Sequence, residues 1–156
     1  MMQLTELDVW KAGIELSKKC FEISQKFPEI ETDGLGSQLK KVVIGIPANV
    51  SAAASRKHGK ESLRHLFRAR DMIYEVESHL YLANALGYIT NEELEEMLET
   101  LNTSKRLLFG FIKHYKRTSY PRRQDQNYNQ NRNHNLHHNN SDHHESFGDD
   151  GSDDDL

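Results

Sequence analysis

Several features are scarce in this sequence. Cys20 is the only cysteine among 156 residues, so no disulfide can form within the chain, and a thiol among apolar helix positions favours packing over catalysis. No apolar run approaches the roughly 18 residues that a membrane span needs, and the N-terminus lacks a basic start followed by an apolar core. These absences argue against a disulfide scaffold and a helical membrane protein. We therefore expect a soluble cytoplasmic protein without a membrane partner.

Charge is unevenly distributed along the chain. Residues 1–123 hold 19 Lys and Arg against 16 Asp and Glu, whereas residues 124–156 hold Arg132 alone against eight acids. The C-terminal segment is rich in Asn and His and poor in apolar side chains, too poor to offset the entropy cost of ordering it. We predict a folded domain over residues 1–118 and a disordered tail over residues 119–156, first Asn/His-rich and then acidic.

The folded part has helical periodicity throughout. Apolar residues recur at spacings of three and four in four successive stretches, and no stretch alternates as a strand would. Thr5 is placed to cap the first helix and Gly87 to end the third, while Thr90 and Glu93 form a capping-box pattern before the fourth. Long helices with short connections predict an all-α fold, an antiparallel up-down four-helix bundle.

Pro47 lies inside the second helical stretch. In a helix interior, proline removes one backbone hydrogen bond and costs roughly 3 kcal/mol. One interpretation is a bend that lets a helix rich in small residues pack closely on its neighbours. The other is a kink that shapes a subunit interface.

Several motifs within residues 1–117 resemble one known family. They read LDVWKAGIEL, KFP, GLGSQLKKVVIGIPANVSAAASRK and YEVESHLYLANALGYIT. Together they are similar to the four-helix-bundle proteins called 23S rRNA-intervening sequence proteins, over essentially the whole folded part. The residues that stand where the family pattern has them include Trp10, Pro47, Asn49, Arg56, Glu75 and Glu77.

The resemblance implies the bundle fold and a homopentameric ring. It implies little about activity, because the family is named for reading frames found inside inserts in ribosomal RNA genes. The wide apolar arc of the first helix independently favours a homo-oligomer. This chain has Ser51-Ala52-Ala53 where the family usually reads Ala-Glu-Gly, and Asp71-Met72 where it reads Gly-Ser. The second departure predicts different close packing at that position.

An up-down topology brings cations together at one end of the bundle. The end of the second helix, the start of the third and the end of the fourth meet there. This end, which we call the basic pole, also contains Arg70, Arg122 and Arg123 and only three acids, Glu6, Asp8 and Glu61. The candidate nucleic-acid-binding residues of the basic pole are Arg56, Lys57, Lys60, Arg64, Arg68, Lys113, Lys116 and Arg117. The opposite, acidic pole collects Glu29, Glu31, Asp33, Glu92, Glu93, Glu95, Glu96 and Glu99. Because Lys60, Arg64 and Arg68 recur every four residues away from the apolar stripe, we expect them to face solvent.

Such a cationic surface attracts phosphate backbones without reading sequence. The predicted function is therefore binding of RNA or DNA by an oligomeric bundle that is not an enzyme. The alternative is a solvated helix face, balanced by helix dipoles and by acids of neighbouring subunits. The protein would then be an interaction scaffold or accessory subunit that recruits a protein partner. No base-reading motif or stacking platform is recognisable.

No other grouping of residues predicts chemistry. We find no catalytic triad, phosphate-binding glycine loop or pair of catalytic carboxylates, and expect no catalytic residue and no cofactor. Glu75, Glu77 and His79 share one helix and are predicted to meet Arg56 or Asn49 in a hydrogen-bonded network that sets helix register. The tail histidines lack fixed geometry, so metal binding there would be adventitious and no metal site is predicted. Those tail residues are His134, His137, His138, His143 and His144, with Asp142.

Overall fold

The computed structural model describes residues 3–57 and 59–119, which form four α-helices. The helices are α1 (Asp8–Ser24), α2 (Leu35–Ser55), α3 (Gly59–Ala85) and α4 (Asn91–Ser119), and two short 3-10 turns span Leu4–Glu6 and Glu29–Thr32. No strand occurs in these residues, so the all-α prediction is confirmed for them. The predicted tail lies outside the described residues except for Ser119, which is the last residue of α4.

Neighbouring helices run antiparallel. Each helix packs on the next along the chain, and α4 packs back on α1. Lys19 donates to Thr100 at 2.9 Å, whereas Lys26, further along α1, pairs with Glu93, earlier in α4. In the other neighbouring pairs too, later residues of one helix contact earlier residues of the next. The contacts are Gly13–Pro47 and Ser17–Val43 between α1 and α2, Gly45–Met72 and Asn49–His65 between α2 and α3, and Phe67–Lys116 and Glu77–Lys105 between α3 and α4. The prediction of an up-down four-helix bundle is confirmed.

The four helices enclose one apolar core, to which each contributes a stripe of buried side chains. Burying a side chain of this size stabilises the fold by roughly 1.5–3 kcal/mol. The largest fully buried side chains include Leu16, Leu39, Ile46, Leu66, Ile73, Leu80, Leu101 and Leu108. Cys20 lies in the same core, and desolvation by burial raises the pKa of its thiol to about 12. A thiol that stays protonated packs as a small apolar side chain.

Pro47 is buried, and α2 continues through it. Because proline has no N–H, the Val43 carbonyl loses its helical donor. The Ser17 hydroxyl of α1 lies 3.2 Å from that carbonyl oxygen and 2.8 Å from the Gly13 carbonyl oxygen. Its single proton is therefore shared between these two acceptors. Gly13 lies beside the proline, since a Cβ built on it would be 3.3 Å from the Pro47 Cβ. Helix α1 thus supplies both a donor and the space that the proline requires, which supports the packing interpretation.

Two predicted helix ends are present. Gly87 has φ +76°, its N–H donates to the Asn84 carbonyl at 2.9 Å, and the Tyr88 N–H donates to the Ala83 carbonyl at 2.9 Å. This Schellman motif ends α3 at the glycine. At the start of α4, the Thr90 N–H donates to the Glu93 carboxylate at 2.9 Å, and the Glu93 N–H donates to the Thr90 hydroxyl at 3.1 Å. The Gly87 stop and the capping box are both confirmed.

The start of α1 differs from its prediction. Thr5 lies inside the 3-10 turn Leu4–Glu6, and α1 has Leu7 at its N-cap. The Gln3 N–H donates to the Glu6 carboxylate at 3.3 Å, so this turn has a cap of its own. The assignment of Thr5 as the cap of α1 is wrong, because hydrophobic periodicity does not distinguish a preceding tight turn from the first turn of the helix.

Asn49 anchors the contact between α2 and α3. Its amide donates to the Gly45 carbonyl at 2.8 Å and lies 3.6 Å from the Met72 sulfur, and its side-chain oxygen lies 3.2 Å from His65 Nδ1. Met72 occupies the space above Gly45, where an added Cβ would come within 2.5 Å of the sulfur. The family departure at Met72 therefore falls at a site of close helix packing.

Glu77 does not take part in that contact. It lies on the side of α3 that faces α4 and accepts a hydrogen bond from Lys105 at 2.7 Å. The predicted network joining Glu77 to Asn49 or Arg56 is wrong. Helical spacing places Glu77 beside the apolar stripe, but it does not indicate which of the two flanking helices lies on that side.

Candidate nucleic-acid interface

A groove lies where the start of α3 meets the end of α4. We call it the main groove; its volume is about 570 Å³, and it is lined by Lys60, Leu63, Arg64, Phe67 and Lys116. The two helix ends are in close contact, since a Cβ added to Gly59 would overlap the Ser119 side chain. Antiparallel packing therefore brings cations of α3 and α4 to one surface, as the sequence predicted.

The floor of the main groove is apolar. Leu63 is buried, and Phe67 is partly buried against the core. The Arg70 guanidinium carbon lies 4.8 Å from the centroid of the Phe67 ring, and Lys116 Nζ lies 5.4 Å from it. Both distances are within the roughly 6 Å range of cation–π attraction. The groove thus combines an aromatic ring with positive charge.

A smaller groove of about 210 Å³ adjoins the first, lined by Arg56, Glu61, Arg64 and His65. Arg64 lines both grooves. The start of α3 is tied to the end of α2 here, because the Ser62 hydroxyl donates to the Ala53 carbonyl at 2.8 Å. The second groove thus adds Arg56, at the end of α2, to the cations near Arg64.

The remaining candidate binding residues lie on or beside the same helix ends but line neither groove. They are Lys57, Arg68, Lys113 and Arg117. All eight predicted cations are exposed, which confirms that Lys60, Arg64 and Arg68 face solvent. Arg68 follows Arg64 by one helical turn, so it extends the charged surface along α3.

Most of these cations are not neutralised by the folded part. Within residues 3–57 and 59–119, neither Arg64 nor Lys116 forms an ion pair with a carboxylate. The same holds in these ranges for Arg56, Lys57, Arg68, Lys113 and Arg117. Their charge is therefore available to an anionic ligand.

Two acids of the opposite pole, by contrast, have structural partners. Glu31 accepts hydrogen bonds from the Leu35 N–H and the Tyr88 hydroxyl, each at 2.8 Å. The Leu35 bond and then the Tyr88 bond lower the pKa of Glu31. The pKa of Glu93 is also lowered, first by its hydrogen bond from Lys26 and then by that from the Thr90 N–H. These two acids stabilise helix ends and contacts rather than an external ligand.

Phe67 is part of the site but was not among the residues predicted from the sequence. Phe67, Tyr74 and Tyr81 recur every seven residues beside the apolar stripe of α3, and this spacing is the signal that could have drawn attention to it. Spacing alone places the ring on a face of one helix. The contact with Lys116 arises only when α4 is packed beside it.

The structure defines an antiparallel helical bundle in which cations from the end of α2, the start of α3 and the end of α4 lie close together. The sequence profile of the 23S rRNA-intervening sequence protein family matches residues 5–110. The chain belongs to that family, which confirms the resemblance carried by its motifs. A comparison with curated protein sequences gives no significant match. Among the described helices, none combines the length and apolarity that crossing a membrane requires.

Proposed function

We propose that the protein is a non-enzymatic helical bundle that binds RNA or DNA backbones through its basic pole. The observation that carries the proposal is the main groove, where Lys60 and Arg64 of α3 converge with Lys116 of α4. Lysine and arginine side chains that neutralise phosphates release counterions, which gives sequence-independent and salt-sensitive binding. The family description mentions ribosomal RNA and so favours RNA over DNA.

The chemistry of the side chains supports a phosphate ligand. Arg64 offers a planar fork of donors suited to two phosphate oxygens, and it lines both grooves. Lys116 has a flexible stem and a compact charge, so it can follow a mobile backbone. Such a surface meets its ligand in the cytoplasm, the compartment that the free, buried Cys20 also suits.

Salt-titrated binding of a labelled RNA tests the proposal. Replacing Lys60, Arg64 and Lys116 together by alanine should weaken binding and reduce the slope of log K against log salt by about two to three, because each lost phosphate contact removes roughly 0.7–0.9. A matched variant replaces Lys18, Lys41 and Arg106, which are exposed on other surfaces, and changes the net charge equally. If the two variants bind alike, or wild-type binding does not depend on salt, the basic pole is not the binding surface.

Self-association is a second proposal, supported by apolar side chains left exposed on two opposite edges. On the α1–α2 edge, Ile14 and Phe21 are exposed two turns apart, and Lys40 of α2 lies 6.0 Å from the Phe21 ring centroid. On the α3–α4 edge, Tyr74 is exposed with Lys105 of α4 4.7 Å from its ring centroid, and Tyr81 is exposed two turns further along α3. Two different apolar faces on opposite sides are what a head-to-tail ring requires. The family resemblance implies that this ring has five subunits.

Blocking one face at a time tests the ring. Ile14→Lys and Tyr81→Lys should each reduce the oligomer measured by sedimentation to a monomer, because every junction in a ring uses both faces. Mixing the two variants should then yield a heterodimer, since one intact face of each kind remains. A wild-type monomer, or single variants that stay oligomeric, would contradict the proposal. An oligomer that binds no nucleic acid would instead favour the interaction scaffold.

A further inference from the structure

We infer that the main groove accepts one unpaired nucleotide of a single strand, with its base against Phe67 and its phosphate on Arg64 and Lys116. This inference rests on the proposed function and specifies the form of nucleic acid that the basic pole binds. It follows from the combination of an apolar floor with cationic walls.

The apolar floor distinguishes this groove from a simple phosphate site. A duplex presents sugars and phosphates at its surface, while the faces of its bases remain stacked inside. Leu63 and Phe67 also pack in or against the core, but phosphate contacts alone make no use of the part of the Phe67 ring that remains exposed between the cations. An unpaired nucleotide offers both a flat apolar face and a phosphate, and single-strand binding sites commonly pair aromatic side chains with positive charge.

The size of the groove suits a single nucleotide. Its volume of about 570 Å³ lies within the roughly 300–1,000 Å³ typical of sites for small ligands. The adjoining groove that contains Arg56 and Arg64 continues the positive surface beyond it. The strand on one side of the bound nucleotide can therefore keep its phosphates near cations.

Two cations lie near the Phe67 ring, and a base can replace one of them. Lys116 Nζ lies 5.4 Å from the ring centroid, and its side chain is exposed. A base packing on the ring takes the place of this ammonium, which turns to the phosphate. Arg70, 4.8 Å from the centroid and partly buried, keeps the ring oriented. The exchange replaces a cation–π contact by a stacking contact and a charge-assisted hydrogen bond.

The lining also predicts what the groove does not read. Lysine and arginine only donate hydrogen bonds, and Leu63 and Phe67 have no polar side-chain atoms, so no lining side chain accepts a hydrogen bond. The groove therefore has no side-chain acceptor for a 2′-hydroxyl or an exocyclic amine. Because every base has a flat face that can stack on the Phe67 ring, binding should tolerate different bases.

An abasic strand isolates the contribution of the base. A single-stranded RNA and an abasic strand of equal length carry the same number of phosphates. The salt-dependent contribution of phosphate contacts to the affinity is therefore the same for both. The intact strand should bind roughly five- to tenfold more tightly, the effect expected of about one stacked base. Phe67→Leu should remove this difference, while Phe111→Leu should preserve it. Phe111 is a suitable control, because it is also partly buried against the core but does not line the groove.

A fluorescence measurement reports stacking directly. Phe67→Trp in a Trp10→Phe background leaves one tryptophan, placed at the groove. The intact strand should quench its emission, and the abasic strand should quench it much less. This variant retains an aromatic ring, so it tests the same contact without depending on the stability of Phe67→Leu.

The outcomes separate the inference from the proposed function. Equal affinity for the intact and abasic strands would refute the unpaired-nucleotide site, and so would a preference for the intact strand that persists in Phe67→Leu. If binding still depended on salt, the proposal that the basic pole binds nucleic acid would stand. Tighter binding of a duplex than of a single strand would refute the unpaired-nucleotide site as well. If neither strand binds wild-type protein, both the inference and the proposed function fall.

Discussion

The hydroxyl oxygen of Ser17 on α1 lies 3.2 Å from the carbonyl oxygen of Val43 on α2. This carbonyl is the group that Pro47 deprives of a helical donor. A buried carbonyl without a donor costs about 1–3 kcal/mol, so a hydroxyl from the neighbouring helix offsets part of the cost of the proline. Through this contact, Ser17 of α1 compensates for the missing N–H of Pro47 in α2.

A double-mutant cycle should detect this link. Ser17→Ala is expected to lower the free energy of unfolding by about 1–2 kcal/mol, because it removes the hydroxyl proton shared by the Gly13 and Val43 carbonyls. In a Pro47→Ala background the same change should cost less, since the alanine N–H can serve the carbonyl. Denaturant unfolding measures both effects. Ser55→Ala, which removes an exposed bond to the Ala52 carbonyl, should change stability by less than about 0.5 kcal/mol; additive costs in the cycle would refute the link.

Two helical glycines should respond oppositely to alanine. Gly110 is exposed in α4, with nothing within 4 Å of an added Cβ, so Gly110→Ala should raise stability by about 0.5–1 kcal/mol. At Gly13 the added Cβ would lie 3.3 Å from the buried Pro47 ring, so Gly13→Ala should lack this gain. Gly13→Val should lower stability by more than about 1 kcal/mol. Thermal unfolding checks the order, and equal gains from both alanines would show that Gly13 is not constrained by the proline.

Stability should fall in acid, in part through Glu93 and Glu31. The pKa of each carboxyl is lowered in the folded state by hydrogen bonds to its charged form. Such groups contribute stability above their ordinary pKa of 4.5, and that contribution is lost as the pH falls below about 4.5 through the lowered values. Unfolding measured from pH 7 downward should therefore show a shallower acid-induced loss for Glu93→Gln. An exposed acid on the same helix, Glu95, provides the control: a profile that Glu95→Gln alters as much as Glu93→Gln would contradict the assignment.

The thiol of Cys20 should be unreactive in the native protein. It is fully buried, and desolvation raises its pKa to about 12, so the thiolate is scarce at neutral pH and inaccessible to reagents. Labelling by a disulfide reagent should be slow and should accelerate sharply in denaturant. In a Cys20→Ala background, Ser78→Cys at an exposed position of α3 should react rapidly without denaturant. Equally rapid native labelling of wild type would show that the core opens readily around Cys20.

Much of the architecture is readable from local sequence signals. The apolar stripes of all four helices, the Gly87 stop and the Thr90–Glu93 capping box depend on residues a few positions apart, and all are present in the structure. Charge segregation is also readable, because short connections oblige successive helices to alternate in direction. Thr5 shows the limit of such signals, since the 3-10 turn that contains it resembles the first turn of a helix in its local pattern.

The sequence by itself determined the helices, their order and the end of the bundle at which cations collect, because each depends on neighbours along the chain. Only the tertiary structure decided that Phe67 lies beneath Lys116, that Ser17 serves the Val43 carbonyl and that Glu77 faces Lys105 rather than Asn49. Each of these contacts joins two helices and depends on how each helix is rotated about its axis. The packing of the whole core sets that rotation. No single stretch of sequence is sufficient to determine it.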